Sequence, residues 1–245
     1  MFTPDPQAAE ALTEEALARA ARDTGEDGGE AGLAWCPRVL ARVGEVATDW
    51  YREGHVQHLA PEFVAWVTQY FGTGEQQPGG TAGEQPEPIP ALLARSCVQR
   101  AFCALPPQEQ TAAWHGSVER TPAAELATLL GVEAEHCTAL YESAWEKLRD
   151  NFLSEHAALL SDEEDTCRRY LRLLDAHDRG SGAHPNEDLE AHLRECECCT
   201  QVLTVLEGLR TRPGETLAAA MLLWGGEAYA EARRPNAGNP PPTAE

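Results

Sequence analysis

Four residues in the last third of the chain have the types and spacing of metal ligands. His192, Cys196 and Cys199 form a His-x3-Cys-x2-Cys run, and Cys167 stands 25 residues before His192. Thiolate and imidazole groups in this proportion bind one Zn2+ ion tetrahedrally. A Cys3His set leaves no open coordination position, so the expected centre holds structure together and does not hydrolyse anything. One helix over residues 186 to 210 would put His192, Cys196 and Cys199 at i, i+4 and i+7, on a shared face. At about 100 degrees per residue, Cys198 falls roughly 240 degrees round from His192 and is the odd cysteine. His177 and His184 lie between the two ligand segments, and either could replace Cys167 as fourth ligand. The alternative to a metal site is a cysteine-bearing amphipathic helix.

These ligands need helices to carry them, and the chain reads as all-α. Isoleucine is nearly absent, valine is sparse, and no stretch alternates apolar and polar residues as a strand would. A short Ala/Glu helix (Pro6 to Arg22) and an acidic, glycine-rich run make residues 1–32 a mobile arm. Residues 33–72 read as a helical pair, with Trp35, Val39, Val43, Val46 and Trp50 on one stripe. Its second helix starts near Pro61 and turns Phe63, Trp66, Val67 and Tyr70 inward. Residues 73–90, rich in Gly, Pro, Gln and Glu, form a linker. Helices are expected over 91–104, 107–117, 123–130, 133–155 and 162–176, then a Gly/Pro/Asn break at 180–186 before the ligand helix. A Trp/Gly-containing helical segment (213–233) and a disordered tail (234–245) close the chain. The expected fold is a helical bundle with a helix-turn-helix unit (91–155), followed by a small zinc-stapled helical module (160–212).

The net charge is −21, from 40 acidic and 19 basic residues. A field of that sign repels a nucleic-acid backbone and favours basic protein surfaces. No apolar window reaches the roughly 18 residues that cross a bilayer, so no membrane role is expected. The first residues lack the charged start and apolar core of a signal peptide, and the chain is expected in the cytoplasm. Eight cysteines there mean thiols or metal ligands rather than disulfides. Of these, Cys36, Cys97, Cys103 and Cys137 lie among apolar or helical residues and are expected as small core residues. Trp114 is expected in the core and its neighbour His115 on the surface. No Gly-rich phosphate loop and no nucleophile–base pair is present, so an enzyme is not expected.

A second pattern lies upstream of the ligands. Leu105-Pro106-Pro107 opens one helix. Thr121, a candidate N-cap, and Gly131, a candidate C-terminal glycine, bracket Ala124-Glu125-Leu126-Ala127 and Leu130. Val132, Leu140, Ala144 and Lys147-Leu148-Arg149 continue the pattern along the next helix. These residues resemble region 4 of sigma-70-type transcription initiation factors of the extracytoplasmic-function class, over about fifty residues. Trp35-Cys36-Pro37-Arg38 through Asp49-Trp50-Tyr51-Arg52 is weakly similar to the end of sigma region 2. The resemblance implies a helix-turn-helix whose second helix would read the major groove. That helix departs from the pattern: it presents Glu133, Glu135, His136, Thr138, Glu142 and Glu146, and its cations Lys147 and Arg149 stand at its far end. Each carboxylate near a phosphate is repulsive by on the order of 1 kcal/mol even in a water-like dielectric. Such a face argues against direct reading of DNA.

The run from Cys167-Arg168-Arg169-Tyr170-Leu171 to His192, Cys196 and Cys199 resembles the zinc-finger anti-sigma fold. There a short helix supplies the first cysteine, a longer one carries His-x3-Cys-x2-Cys, and the domain clamps a sigma factor. The resemblance implies zinc as cofactor, and a sigma factor or RNA polymerase as partner. It also implies the possibility of thiol oxidation with metal release, for which Cys198 supplies a neighbouring thiol. An intramolecular form follows, in which the zinc module packs on and masks the sigma-like helices. Two other readings stand beside it: an atypical sigma factor that binds promoter DNA, and a metal-stapled scaffold with no role in transcription.

Overall fold

The computed structural model describes residues 2–26, 34–71, 90–160, 165–180, 187–222 and 224–234. Every regular element among them is helical, and the fold is an all-α bundle as expected.

The first unit comprises α1 (Pro6–Glu26), α2 (Trp35–Arg52), a 3-10 turn (Val56–His58) and α3 (Pro61–Phe71). Asp5 caps α1 by accepting the Ala8 N–H at 3.1 Å. Ala8, Leu12, Ala16 and Ala20 recur every four residues and are buried, a narrow stripe that packs closely on Val46 and Ala47 of α2. Arg19 pairs with Asp49 at 2.6 Å, and the Trp50 indole donates to Glu15 at 3.0 Å. The expectation of a mobile arm is therefore corrected for α1, whose face from Ala8 to Ala20 is docked. An acidic, alanine-rich composition conceals a stripe made largely of methyl groups. Of the acidic, glycine-rich run expected from Asp23 to Gly32, the first four residues end α1, and the rest lies outside the described residues.

On α2 the expected stripe is rotated. Val46 is buried, but Trp35 is half-exposed and Pro37 and Ala47 lie inward instead. Phe63 and Val67 of α3 are buried as expected, and Trp66 stacks on Phe63. The Tyr70 side chain and nearly all of the expected linker lie outside the described residues, the linker's last residue, Pro90, opening the next helix.

The second unit runs α4 (Pro90–Cys103), α5 (Pro107–Ser117), α6 (Ala123–Leu130), α7 (Ala134–Leu159), α8 (Asp165–Asp178), α9 (Glu187–Glu195), α10 (Glu197–Thr211), α11 (Pro213–Leu222) and α12 (Gly226–Ala232). Phe102, Trp114, Leu148, Phe152, Leu174, Leu189, Leu206 and Leu217 are fully enclosed in one continuous apolar cluster. Each contributes about 1.5–3 kcal/mol on burial. That cluster joins α4, α5 and α7 to the ligand-bearing helices, so the expected boundary between residues 155 and 160 does not divide the core. At the α6–α7 turn, Gly131 takes the left-handed conformation (φ 67°) that ends α6. The N-cap of α6 is Pro122, not Thr121, and no side chain caps it. Trp224 docks back on the first unit, 5.0 Å from the Phe2 ring and 5.1 Å from Phe63. Cys97 and Cys137 are buried as expected, Cys36 is half-buried, and Cys103 is exposed at the end of α4. Trp114 is buried and His115 is half-exposed. Arg234, the first residue of the expected disordered tail, is held by Glu215 and Glu231, and the rest of the tail lies outside the described residues. No helix among the described residues is long and apolar enough to cross a membrane.

Candidate metal centre

The four predicted ligands meet. One ligand atom from each of Cys167, His192, Cys196 and Cys199 lies within 4.8 Å of every other. Cys167 sits near the start of α8, His192 is on α9, and Cys196 and Cys199 sit at the start of α10. The spacing argument places them correctly but for the wrong local reason. On one continuous helix the step from i to i+7 rises about 10.5 Å, too far for three side chains to close on one ion without strain. The chain instead breaks at Cys196, whose extended backbone (φ −111°, ψ 100°) separates α9 from α10. The Cys196 sulfur caps α10 by accepting the Cys199 N–H at 3.5 Å, where the positive end of the helix dipole favours a thiolate. The Thr200 hydroxyl donates to the carbonyls of Leu193 and Cys196, at 2.8 and 3.0 Å, and fixes the corner.

Three of the six ligand-to-ligand distances lie within about 0.4 Å of the edges of a tetrahedral zinc site. Bonds of about 2.3 Å to sulfur and about 2.1 Å to nitrogen give tetrahedral edges of about 3.8 Å between sulfurs and about 3.6 Å between sulfur and nitrogen. Cys167 Sγ and Cys196 Sγ are 3.6 Å apart. His192 Nε2 is 3.8 Å from Cys167 Sγ and 3.2 Å from Cys199 Sγ. The sulfurs are too far apart for a disulfide, whose bond is about 2.0 Å. Burial raises the Cys199 thiol pKa, and the nearby Cys196 and Cys167 sulfurs raise it further. A divalent cation reverses that balance, because thiolates that repel one another become its ligands.

Neighbouring side chains set the ligands in place. The Tyr170 ring stacks on the His192 imidazole, with centroids 4.4 Å apart and planes 17° apart. Leu171 and Leu174 anchor α8 in the core, as Val202 and Leu206 anchor α10. Cys198 lies outside the cluster, as the helical rotation predicts, and its sulfur approaches His156 Nε2 of α7 at 3.3 Å. His177 lies ten residues beyond Cys167 on α8, about 15 Å along the axis, and is not a ligand. His184 lies outside the described residues.

The outward face of α7 is equally definite. Glu133, Glu135, His136, Thr138, Glu142 and Glu146 are all exposed on or just before α7. The two cations of that helix are engaged within the protein. Lys147 pairs with the buried Glu109 at 2.6 Å. Arg149 is buried and reaches Asp175 at 2.7 Å, Asp178 at 3.0 Å and the Leu206 carbonyl at 3.3 Å. Arg149 thus ties α7 to α8 and α10, and Arg179, just past the end of α8, adds a bond back to Glu146 at 2.7 Å. Sequence reasoning placed Arg149 on a DNA-facing helix and missed this use. The one signal available was the Asp175-x2-Asp178 pair, which repeats at helical spacing on α8.

No family model matches the chain, and no curated protein or solved structure matches it either.

Proposed function

We propose that this chain is a transcription regulator of the sigma factor and anti-sigma type. It acts by protein–protein contact, with a sigma factor or RNA polymerase as partner. The observation that carries the reading is the outward face of α7, which holds exposed carboxylates while Arg149 is buried on Asp175 and Asp178 and the exposed Lys147 is paired with Glu109. A helix in the recognition position of a helix-turn-helix, stripped of free cations, repels phosphate and attracts a basic protein surface. The Cys3His cluster supports the same reading, since it is the donor set that staples small helical modules.

Zinc, when bound, supplies a fourfold cross-link and the positive charge that holds three thiolates together. The chain's own residues do the rest. Cys196 breaks and caps the helix, Tyr170 orients His192, and Arg149 transmits the position of α8 and α10 to α7. Helices α4 and α5 cover the apolar side of α7, where Leu148 and Phe152 are buried, and the zinc-bearing helices meet α7 chiefly through Arg149, which reaches Asp175, Asp178 and the Leu206 carbonyl. The acidic residues of α7 stay exposed, which supports reading the intramolecular contact as a brace that leaves this face for a partner.

The test is equilibrium binding of the zinc-loaded chain to purified sigma factors, to RNA polymerase and to promoter duplex, each across a salt series. A stoichiometric complex with sigma factor or polymerase, without a promoter complex at physiological salt, is the expected result. A salt-sensitive promoter complex overturns the reading in favour of a DNA-binding initiation factor. Binding to none of the three leaves a zinc-stapled scaffold.

A further inference from the structure

Cations are scarce in this chain, with 19 Lys and Arg against 40 Asp and Glu, yet three arginines line a single cleft. The cleft has a volume of about 390 Å3 and is bordered by Arg120, Arg212 and Arg234, with Gly116, Ser117 and Tyr141 beside them and the start of α11 at one end. A volume of this size falls within the range of small-molecule sites. Glu215 is the one carboxylate on its wall. It pairs with Arg234 and lies 3.9 Å from Arg212. Arg234 is further held by Glu231 at 2.9 Å. Arg120 makes no side-chain hydrogen bond or ion pair with the described residues.

Arg120 also has a left-handed backbone, φ 55°, and is the one non-glycine among the described residues with a positive φ. Glycine would adopt that conformation without strain. The turn is fixed by the Glu119 N–H on the Trp114 carbonyl at 3.2 Å and the Thr121 N–H on the His115 carbonyl at 2.9 Å. The Tyr141 ring is held close by, because a Cβ placed at Gly116 would lie 2.8 Å from it.

We propose that this cleft binds a small phosphomonoester, with Arg120 and Arg212 gripping the phosphate and the Tyr141 ring flanking the organic body. Guanidinium groups match phosphate oxygens in pairs, and the uncommitted Arg120 fork is free to do so without breaking an existing pair. A polyanion is a poor occupant. Glu227 and Glu231 border the adjoining cleft, and the outer face of α7 is acidic, so a nucleic-acid strand leaving the site would meet carboxylates. The ligand would touch the α5–α6 turn, α7 and the α10–α11 joint together. Occupancy therefore links the helix-turn-helix to the far end of the zinc-bearing helix. The proposal stands whichever protein the acidic face binds.

Calorimetric titration of the full zinc-loaded chain with phenyl phosphate tests it, with phenol as the uncharged control and a short DNA duplex as the polyanion control. Saturable binding of phenyl phosphate alone is expected, weakening as salt rises. Arg120→Gly and Arg212→Gln should each weaken it by about tenfold or more, the loss of a charged hydrogen-bonding pair. Arg120→Gly should at the same time raise the melting temperature of the ligand-free chain, because the strain at φ 55° is removed. Arg172→Gln, an exposed change on α8, should alter neither quantity. The proposal is overturned by absence of binding up to about 10 mM phenyl phosphate, by unchanged affinity in Arg120→Gly, by equal binding of phenol, or by tighter binding of the duplex.

Discussion

Replacing Arg149 with Met removes the cation that joins α7 to the zinc-bearing helices while keeping a side chain of similar reach. Arg149 is 6% exposed, and three of its contacts cross between helices: Asp175, Asp178 and the Leu206 carbonyl. Breaking a buried pair by removing one partner costs about 3–5 kcal/mol, because the other charge stays buried without compensation. Here the compensation is partial. Asp178 keeps Arg210 at 3.1 Å, and Asp175 keeps Arg179 at 2.9 Å. The expected loss therefore lies at the low end, about 3 kcal/mol, a large share of the roughly 5–15 kcal/mol that a domain possesses. Urea unfolding of the zinc-loaded chain, followed by tryptophan fluorescence, measures it. Asp178→Asn combined with Arg149→Met should lose less than the sum of the two single changes, by about 1 kcal/mol or more, since both changes remove the same ion pair. A loss below about 1 kcal/mol for Arg149→Met, or strict additivity in the double variant, would refute a buried network that couples the helices.

The metal-free chain and the zinc-loaded chain should respond to pH in opposite directions. Without metal the Cys199 thiol pKa is raised by burial and by the neighbouring sulfurs, so its contribution is present below the ordinary thiol pKa of about 8.5 and is lost as pH rises beyond it. With zinc the thiolates must stay ionised, and stability falls on acidification instead; melting curves across pH check both slopes. Glu119 accepts from Trp114 at 3.0 Å, Tyr229 at 2.6 Å and Cys36 at 3.5 Å, and pairs with Arg233 at 3.3 Å. Burial first, then the Glu119 carboxylate, pushes the Cys36 pKa up to about 11. Glu119→Gln should lower that value only part of the way to normal, as read by the pH dependence of Cys36 alkylation, and should cost about 1–3 kcal/mol of stability. Gly226→Ala would place a Cβ 2.2 Å from the Ala218 carbonyl oxygen. It should destabilise the chain by about 3 kcal/mol in thermal unfolding, since backbone cannot yield as a side-chain tip does.

The helix pattern was legible where local chemistry decides it. Pro107 and Pro61 each open a helix at the expected residue, and Gly131 ends one, because ring closure and the missing Cβ act within a single turn. The ligand set was legible for the same reason: histidine and cysteine in that order and spacing suit few arrangements but a metal. The break at Cys196 was not. A capping sulfur and the Thr200 hydroxyl fix it, and neither leaves a Gly or Pro in the sequence. The docking of α1 was hidden because an alanine stripe looks like mere helix propensity until α2 is laid against it. Arg149 was misplaced because a cation's neighbours come from distant segments, 26 and 29 residues away for its two carboxylates. Trp35 is expected inward on hydrophobicity, yet it is 52% exposed at the first turn of α2, because that turn meets the core through its neighbours Cys36 and Pro37 instead.

The central claim is that Cys167, His192, Cys196 and Cys199 form one tetrahedral zinc centre on which the C-terminal helices depend. Elemental analysis of protein purified under reducing conditions, wild type beside Cys196→Ser and Cys198→Ser, tests it most directly. One equivalent of zinc in wild type and in Cys198→Ser, with loss of the metal in Cys196→Ser, is the predicted result. Folded wild-type protein without zinc, or zinc retained in Cys196→Ser and lost in Cys198→Ser, would contradict it.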